Sequence, residues 1–109
     1  MARKAIPKAV AREVAHYVRK LKEDGLPVTA VYLFGSYAKG TQRPDSDIDV
    51  FVVSPAFKDA DEALHYLWQR RILRDPRYAI EPMGMNEQDF AKESPITKEV
   101  RSHGIAMSA

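Results

Sequence analysis

Two aspartates separated by one residue, Asp47 and Asp49, open an apolar run that continues as Val50-Phe51-Val52-Val53. On an extended chain, residues two apart project from the same side, so both carboxylates face one way. Carboxylates held side by side in a low dielectric repel each other. A divalent cation relieves that repulsion, and Mg²⁺ in particular takes carboxylate oxygen while substrate phosphate completes its shell. The intervening Ile48, with Val50 and Val52, faces the opposite side and anchors the strand in a core. Phe51 and Val53 share the acidic side but are apolar, which leaves the acidic pair at the beginning of the strand, next to solvent.

A second element stands upstream. Gly35-Ser36 is followed by ten residues and then by Asp47-x-Asp49. Glycine lets the backbone approach a ligand closely, and the N–H groups of a turn leading into a helix start favour phosphate oxygens. The Ser36 hydroxyl adds a donor. Lys39 and Arg43 lie in the same loop, where the charge of a triphosphate would be near, and are candidates for contact with it. The Gly-x-x-x-x-Gly-Lys-Ser/Thr pattern of a Walker loop is absent. Either half alone is weak, since Asp-x-Asp is commonly a solvated strand start and Gly-Ser commonly a turn. Together they fix four positions, a match that composition alone would give roughly once in a thousand such chains. Phosphatases of the dehalogenase type also carry Asp-x-Asp, but at the carboxyl end of an apolar strand. Here the pair precedes the run, which argues against that reading.

The elements that must position these residues follow from periodicity. Ile6, Val10, Val14, Tyr17, Val18 and Leu21 recur at spacings of three and four, the stripe of an amphipathic helix. Pro7 suits its first turn, and Asp24-Gly25 with Pro27 stops it. Val28–Phe34 is rich in β-branched and aromatic residues and reads as a buried strand. A short helical turn over Tyr37–Gly40 and a polar loop over Thr41–Ser46 lead to the second strand, Asp47–Val53. A second helix is predicted over Asp59–Arg74, with Ala60, Ala63, Leu64, Leu67, Trp68 and Ile72 inward, and Asp75-Pro76 ends it. Tyr78–Pro82 is a short third strand beside the second. One helical turn near Glu87–Phe90 and a last helix over Pro95–His103, stopped by Gly104, complete the chain. The reading is a single α/β domain spanning 1–109, without repeats or linkers.

Composition narrows the function classes. The 109 residues contain no cysteine, so disulfides and thiolate metal sites are excluded. That is compatible with a cytoplasmic setting. The start, Met1 to Pro7, lacks the apolar stretch of a signal peptide, and no apolar run approaches a membrane span. A formal net charge of +2 gives no strong pull toward nucleic acid or membrane. His16, His65 and His103 lie far apart without metal-ligand spacing. Arg70, Arg71, Arg74 and Arg77 form a basic run that suits a solvated face at a helix C-terminus, or contact with nucleotide, RNA or an acidic partner. Trp68 falls on the inner stripe of its helix and reads as core.

The segment Leu33–Val53 resembles the signature of the DNA polymerase β-like nucleotidyltransferases, and is most similar to their minimal nucleotidyltransferase group. Gly35-Ser36-Tyr37-Ala38-Lys39-Gly40 and Asp45-Ser46-Asp47-Ile48-Asp49 carry the likeness. A weaker one extends through Ile80-Glu81-Pro82 and the tail from Ile96 to Ala106. The resemblance implies a small mixed β-sheet flanked by helices, with Gly35-Ser36 gripping the triphosphate of ATP. It implies that Asp47 and Asp49 share two Mg²⁺ ions, and that Glu81 is the counterpart of the family's third carboxylate, on a later strand. The activity so implied is transfer of a nucleoside monophosphate, AMP above all, to an acceptor hydroxyl with loss of pyrophosphate. The group includes antitoxins paired with a small helical RNase toxin, so a protein partner of that kind is expected. The competing expectation is a non-catalytic nucleotide-binding or partner-binding module on the same fold. An intact carboxylate set favours catalysis.

Overall fold

The computed structural model describes residues 6–72 and 74–108; the first five residues considered above for a leader, Leu73 and Ala109 lie outside them. The elements run α1 (Lys8–Glu23), β1 (Ala30–Phe34), α2 (Ser36–Lys39), β2 (Ile48–Val53), α3 (Ala60–Gln69), β3 (Ile80–Met85), α4 (Glu87–Ala91), α5 (Pro95–His103) and β4 (Ile105–Met107). The four strands form one mixed sheet in the order β3-β2-β1-β4. β1 is antiparallel to β2 and to β4, while β2 and β3 are parallel.

Alternation along the strands divides the interior in two. Val31, Leu33, Ile48, Val50 and Val52 point to one face, where they pack with Val10, Val14, Tyr17, Val18 and Leu21 of α1 and Ala63 and Leu67 of α3. Phe34, Phe51 and Val53 point to the other, against Val100 of α5, with Phe90 and Ile96 beside them. The helical stripe expected of α1 is thus the stripe that is buried. The Tyr17 hydroxyl donates to the Leu67 carbonyl at 2.6 Å, tying α1 to the end of α3. α5 starts on a capping box in which Ser94 and Thr97 satisfy each other's backbone N–H groups.

The structure departs from the sequence reading where tertiary context overrides local pattern. β1 starts at Ala30 rather than Val28, and Asp47 precedes β2 by one residue. β3 is longer than expected and starts later, running through Pro82 to Met85. An edge strand tolerates proline because one side of it has no ladder to complete. α3 ends at Gln69, so Arg70, Arg71, Ile72 and Arg74 lie beyond the helix. Of its predicted inner residues only Ala63 and Leu67 are buried; Ala60, Leu64, Trp68 and Ile72 are exposed. The helix sits at the sheet margin, where β3 offers only a narrow strip to cover. Trp68 lies across that margin, and its indole N–H donates to the Pro82 carbonyl at 3.0 Å. β4 was not expected: the three residues after Gly104 are too few to carry a periodic signal, and pairing with β1 makes them a strand.

Candidate active site

The parallel register of β2 and β3 pairs Asp49 with Glu81. Both belong to the face of Phe51 and Val53, so the two side chains stand side by side on adjacent strands. Asp47, one residue before β2, completes the group: its carboxylate lies near enough to Glu81 to raise the Glu81 pKa. Farther along the same face Phe51 and Val53 are sealed beneath α5. The carboxylates therefore occupy the open end of an otherwise covered face.

Electrostatics record this crowding. Asp49 is half-buried, and its pKa is pushed up to about 6, first by burial and then by the charges of Glu81, Asp47 and Glu99. Glu81 is raised as well, by burial and by Asp47, with the Arg71 guanidinium opposing the rise. Surplus negative charge on carboxylate oxygens at the head of two strands is a donor set that suits a hard divalent cation. Among the described residues, no three such groups already stand as a preformed metal site.

Gly35 ends β1 opposite this group, since Phe34 pairs with Asp49. Its φ of +71° lies in the region that only glycine adopts freely. A Cβ at this position would stand 2.1 Å from Oδ2 of Asp49. Glycine is required here by the carboxylate as much as by any ligand. Ser36 then opens α2, a single turn whose first N–H groups have no carbonyl one turn back to bond. The turn is closed by Lys39 N–H to Gly35 O at 3.1 Å and Thr41 N–H to Ser36 O at 3.0 Å.

The two basic candidates differ. Lys39 is engaged within the fold: its ammonium stands 3.0 Å from Glu99 of α5. Arg43 is exposed in the loop, which is shaped by its own N–H donating to the Ser46 hydroxyl at 2.7 Å. It lines a groove of about 430 Å³ with Tyr37, Gln42, Arg77 and Tyr78. Two residues near the carboxylates escaped sequence reasoning. Glu99 approaches from α5, and only long-range packing brings it there. Arg71 was visible as part of a basic run, but nothing local singled it out from its neighbours. The three histidines gather no metal-ligand cluster among the described residues.

Comparison with known proteins gives the chain its family. The chain is 36% identical to a provisionally named protein adenylyltransferase of Methanocaldococcus jannaschii over 61 residues, which is 51% of this chain and 61% of that protein. It is 50% identical to the protein adenylyltransferase MntA of Shewanella oneidensis over 36 residues, 32% of this chain and 26% of that protein. The matched segments thus span less than two thirds of either relative. A crystal structure of a toxin–antitoxin with AMP-PNP superposes with a TM-score of 0.62 at 22% identity, covering 91% of this chain and 73% of that one. At that identity the likeness is one of fold. The model of the nucleotidyltransferase domain matches residues 13–104, and the chain belongs to that family.

Proposed function

We propose that the chain is an enzyme that transfers AMP from ATP to a hydroxyl on a partner protein. The observation that carries the reading is the convergence of Asp47, Asp49 and Glu81 at the open end of one sheet face, directly opposite the Gly35-Ser36 turn. Gly35 and Ser36 would hold the β- and γ-phosphates through backbone N–H groups and the Ser36 hydroxyl. Asp47, Asp49 and Glu81 would hold magnesium, two ions in the full arrangement. Bound magnesium supplies positive charge to the attacking and leaving oxygens of an in-line displacement. The acceptor oxygen forms a bond to the α-phosphorus, the bond to the β-phosphate oxygen breaks, and pyrophosphate leaves. Glu81, whose pKa is raised by burial and by Asp47, takes the hydroxyl proton.

A protein acceptor is supported by the curated relatives, which are named protein adenylyltransferases, and by the toxin–antitoxin neighbour. The open site supports it too, because a small domain encloses a large acceptor poorly and orientation is a large part of catalysis. The alternative is a nucleotide-binding module without turnover. One experiment separates them. The chain is incubated with labelled ATP, Mg²⁺ and the protein encoded beside it, and mass gain on that protein is measured. Addition of AMP that disappears in Asp47→Asn supports transfer. Nucleotide binding with no AMP on that protein or on any other soluble protein of its cell supports the module. Labelling of an aminoglycoside with none on protein would place the acceptor elsewhere.

A further inference from the structure

An apolar surface with no role so far lies at the β3 margin of the sheet. Leu64, Trp68, Ile72 and Met83 are exposed by 41, 40, 43 and 37%, although all are large and apolar. Leu64 and Trp68 stand one turn apart on α3 and line, with His65, a shallow depression of about 270 Å³. Trp68 bonds the Pro82 carbonyl, and Met83 is the next residue along the strand. The apolar strip of α3 thus reaches the sheet edge at Trp68, while Met83, two residues from Glu81, is exposed on the carboxylates' side of that edge; exposed apolar residues of this kind mark interaction sites on small domains.

The charge beside the strip is selective. Arg70, Arg74 and Arg77 are each paired with a carboxylate, from Asp24 at 3.2 Å, Glu13 at 3.7 Å and Asp75 at 2.8 Å. Among the described residues Arg71 has no carboxylate within ion-pair distance. Its guanidinium lies on the Trp68 ring, 4.1 Å from the centroid, and its charge is felt at Glu81. The strip therefore runs into the carboxylate group through one cation.

We propose that this strip is the surface on which the acceptor protein docks, by a helix whose apolar stripe is flanked by a carboxylate that pairs with Arg71. The inference rests on the AMP-transfer reading and names the recognition element for it. A ridge of residues four apart, as Leu64 and Trp68 are, packs against a similar ridge on another helix. Such a helix would bring its hydroxyl to the Glu81 side of the site. RNA fits less well, because successive phosphates need several uncommitted cations, and three of the four arginines are taken. Pairing with a second copy through β3 is disfavoured: Pro82 offers no N–H, and its carbonyl is already bonded by Trp68.

Trp68 is the chain's single tryptophan, so its fluorescence reports the strip directly. The emission of the full chain is titrated with an amphipathic helical peptide bearing a leucine stripe flanked by glutamates, with the same peptide flanked by lysines, and with oligouridylate. The glutamate peptide is expected to shift the emission saturably, and Arg71→Glu to weaken its binding at least about tenfold. The lysine peptide and the RNA should do neither. In the labelling assay, Leu64→Ser and Ile72→Ser should each lower kcat/KM for the protein acceptor about tenfold or more, with ATP binding unchanged. An equal response to both peptides, a stronger one to RNA, or self-association of the chain through this face overturns the proposal. So does acceptor labelling indifferent to both substitutions. No labelling by the wild-type chain, with peptide recognition intact, would instead remove the transfer reading and leave the surface standing.

Discussion

The two faces of β2 begin alike in backbone and end in opposite chemistry. Ile48, Val50 and Val52 are fully buried between the sheet and helices α1 and α3, and that face is apolar from its first residue to its last. The other face carries Asp49 at its head and only then becomes apolar, with Phe51 and Val53 beneath α5. The first face has one task, to hold the strand. The second holds the strand along part of its length and leaves its head polar and repulsive. Stability and site are thus segregated by a single residue's step, so substitutions at adjacent positions should have opposite consequences.

The largest effect expected is the one that breaks the comparison most cleanly. Asp49→Asn or Asp47→Asn should lower AMP transfer by at least about a hundredfold, as loss of a central electrostatic group does, without unfolding the chain. Ile48→Ala, between them, should cost about 2–5 kcal/mol of stability while leaving turnover per folded molecule largely intact. Thermal melts beside single-turnover assays check both. A destabilised Asp49→Asn with full activity would show that the acidic face is structural.

Next comes Ser36→Ala. The hydroxyl would bond a charged phosphate, an interaction worth about 1.5–3 kcal/mol, so nucleotide affinity should fall roughly tenfold to a hundredfold. The melting temperature should hardly move, because Ser36 is not among the buried polar residues. Calorimetry with AMP-PNP is the measurement. Unchanged affinity would mean that backbone N–H groups alone hold the phosphate.

The acidic face was legible for a physical reason. Period-two alternation places Asp47 and Asp49 on one side wherever the strand lies, and Gly35-Ser36 can only be a turn after an apolar strand. The pairing of Asp49 with Glu81 was less accessible, since it depends on the parallel register of β2 and β3, which no local pattern specifies. α3 failed instructively. Its apolar positions satisfy helical spacing, yet Leu64 and Trp68 remain exposed, because periodicity says which residues share a side but not how much of that side the fold can cover. The second role of Gly35, clearing the Asp49 carboxylate, was likewise invisible without the register of β1 on β2.

A smaller effect concerns pH. The Asp49 pKa is about 6 in the fold, above the ~3.9 of an unfolded aspartate. Between those values the folded chain holds a proton that the unfolded chain has lost. The contribution to stability is therefore full below about pH 4, declines as pH rises to about 6, and stays lost above that. Glu81 is raised too and acts in the same direction. Melting temperature should thus fall from pH 4 to 7 by more in the wild-type chain than in Asp49→Asn. At pH 7.5, Mg²⁺ or Mn²⁺ should recover part of the loss for the wild type only. Parallel profiles for the two proteins would separate the acidic group from stability altogether.

The smallest effect is expected at the seam between the faces. Lys39 of α2 is held by Glu99 of α5 at 3.0 Å, and both side chains are partly open to solvent. An ion pair of that kind stabilises by about 0.2–1 kcal/mol at most, so Glu99→Gln should lower the melting temperature only slightly. Its influence on the site should be more informative. Glu99 adds negative charge near Asp49 and occupies a lysine that stands one turn from Ser36. Removing its charge frees Lys39 to meet triphosphate and lowers the repulsion that an incoming polyanion encounters. ATP affinity in Glu99→Gln should therefore rise by about twofold to threefold, a gain that a second substitution, Lys39→Met, abolishes. If affinity falls instead, Glu99 takes part in holding the metal or the nucleotide, and the acidic face has a fourth carboxylate supplied by the helix that seals it.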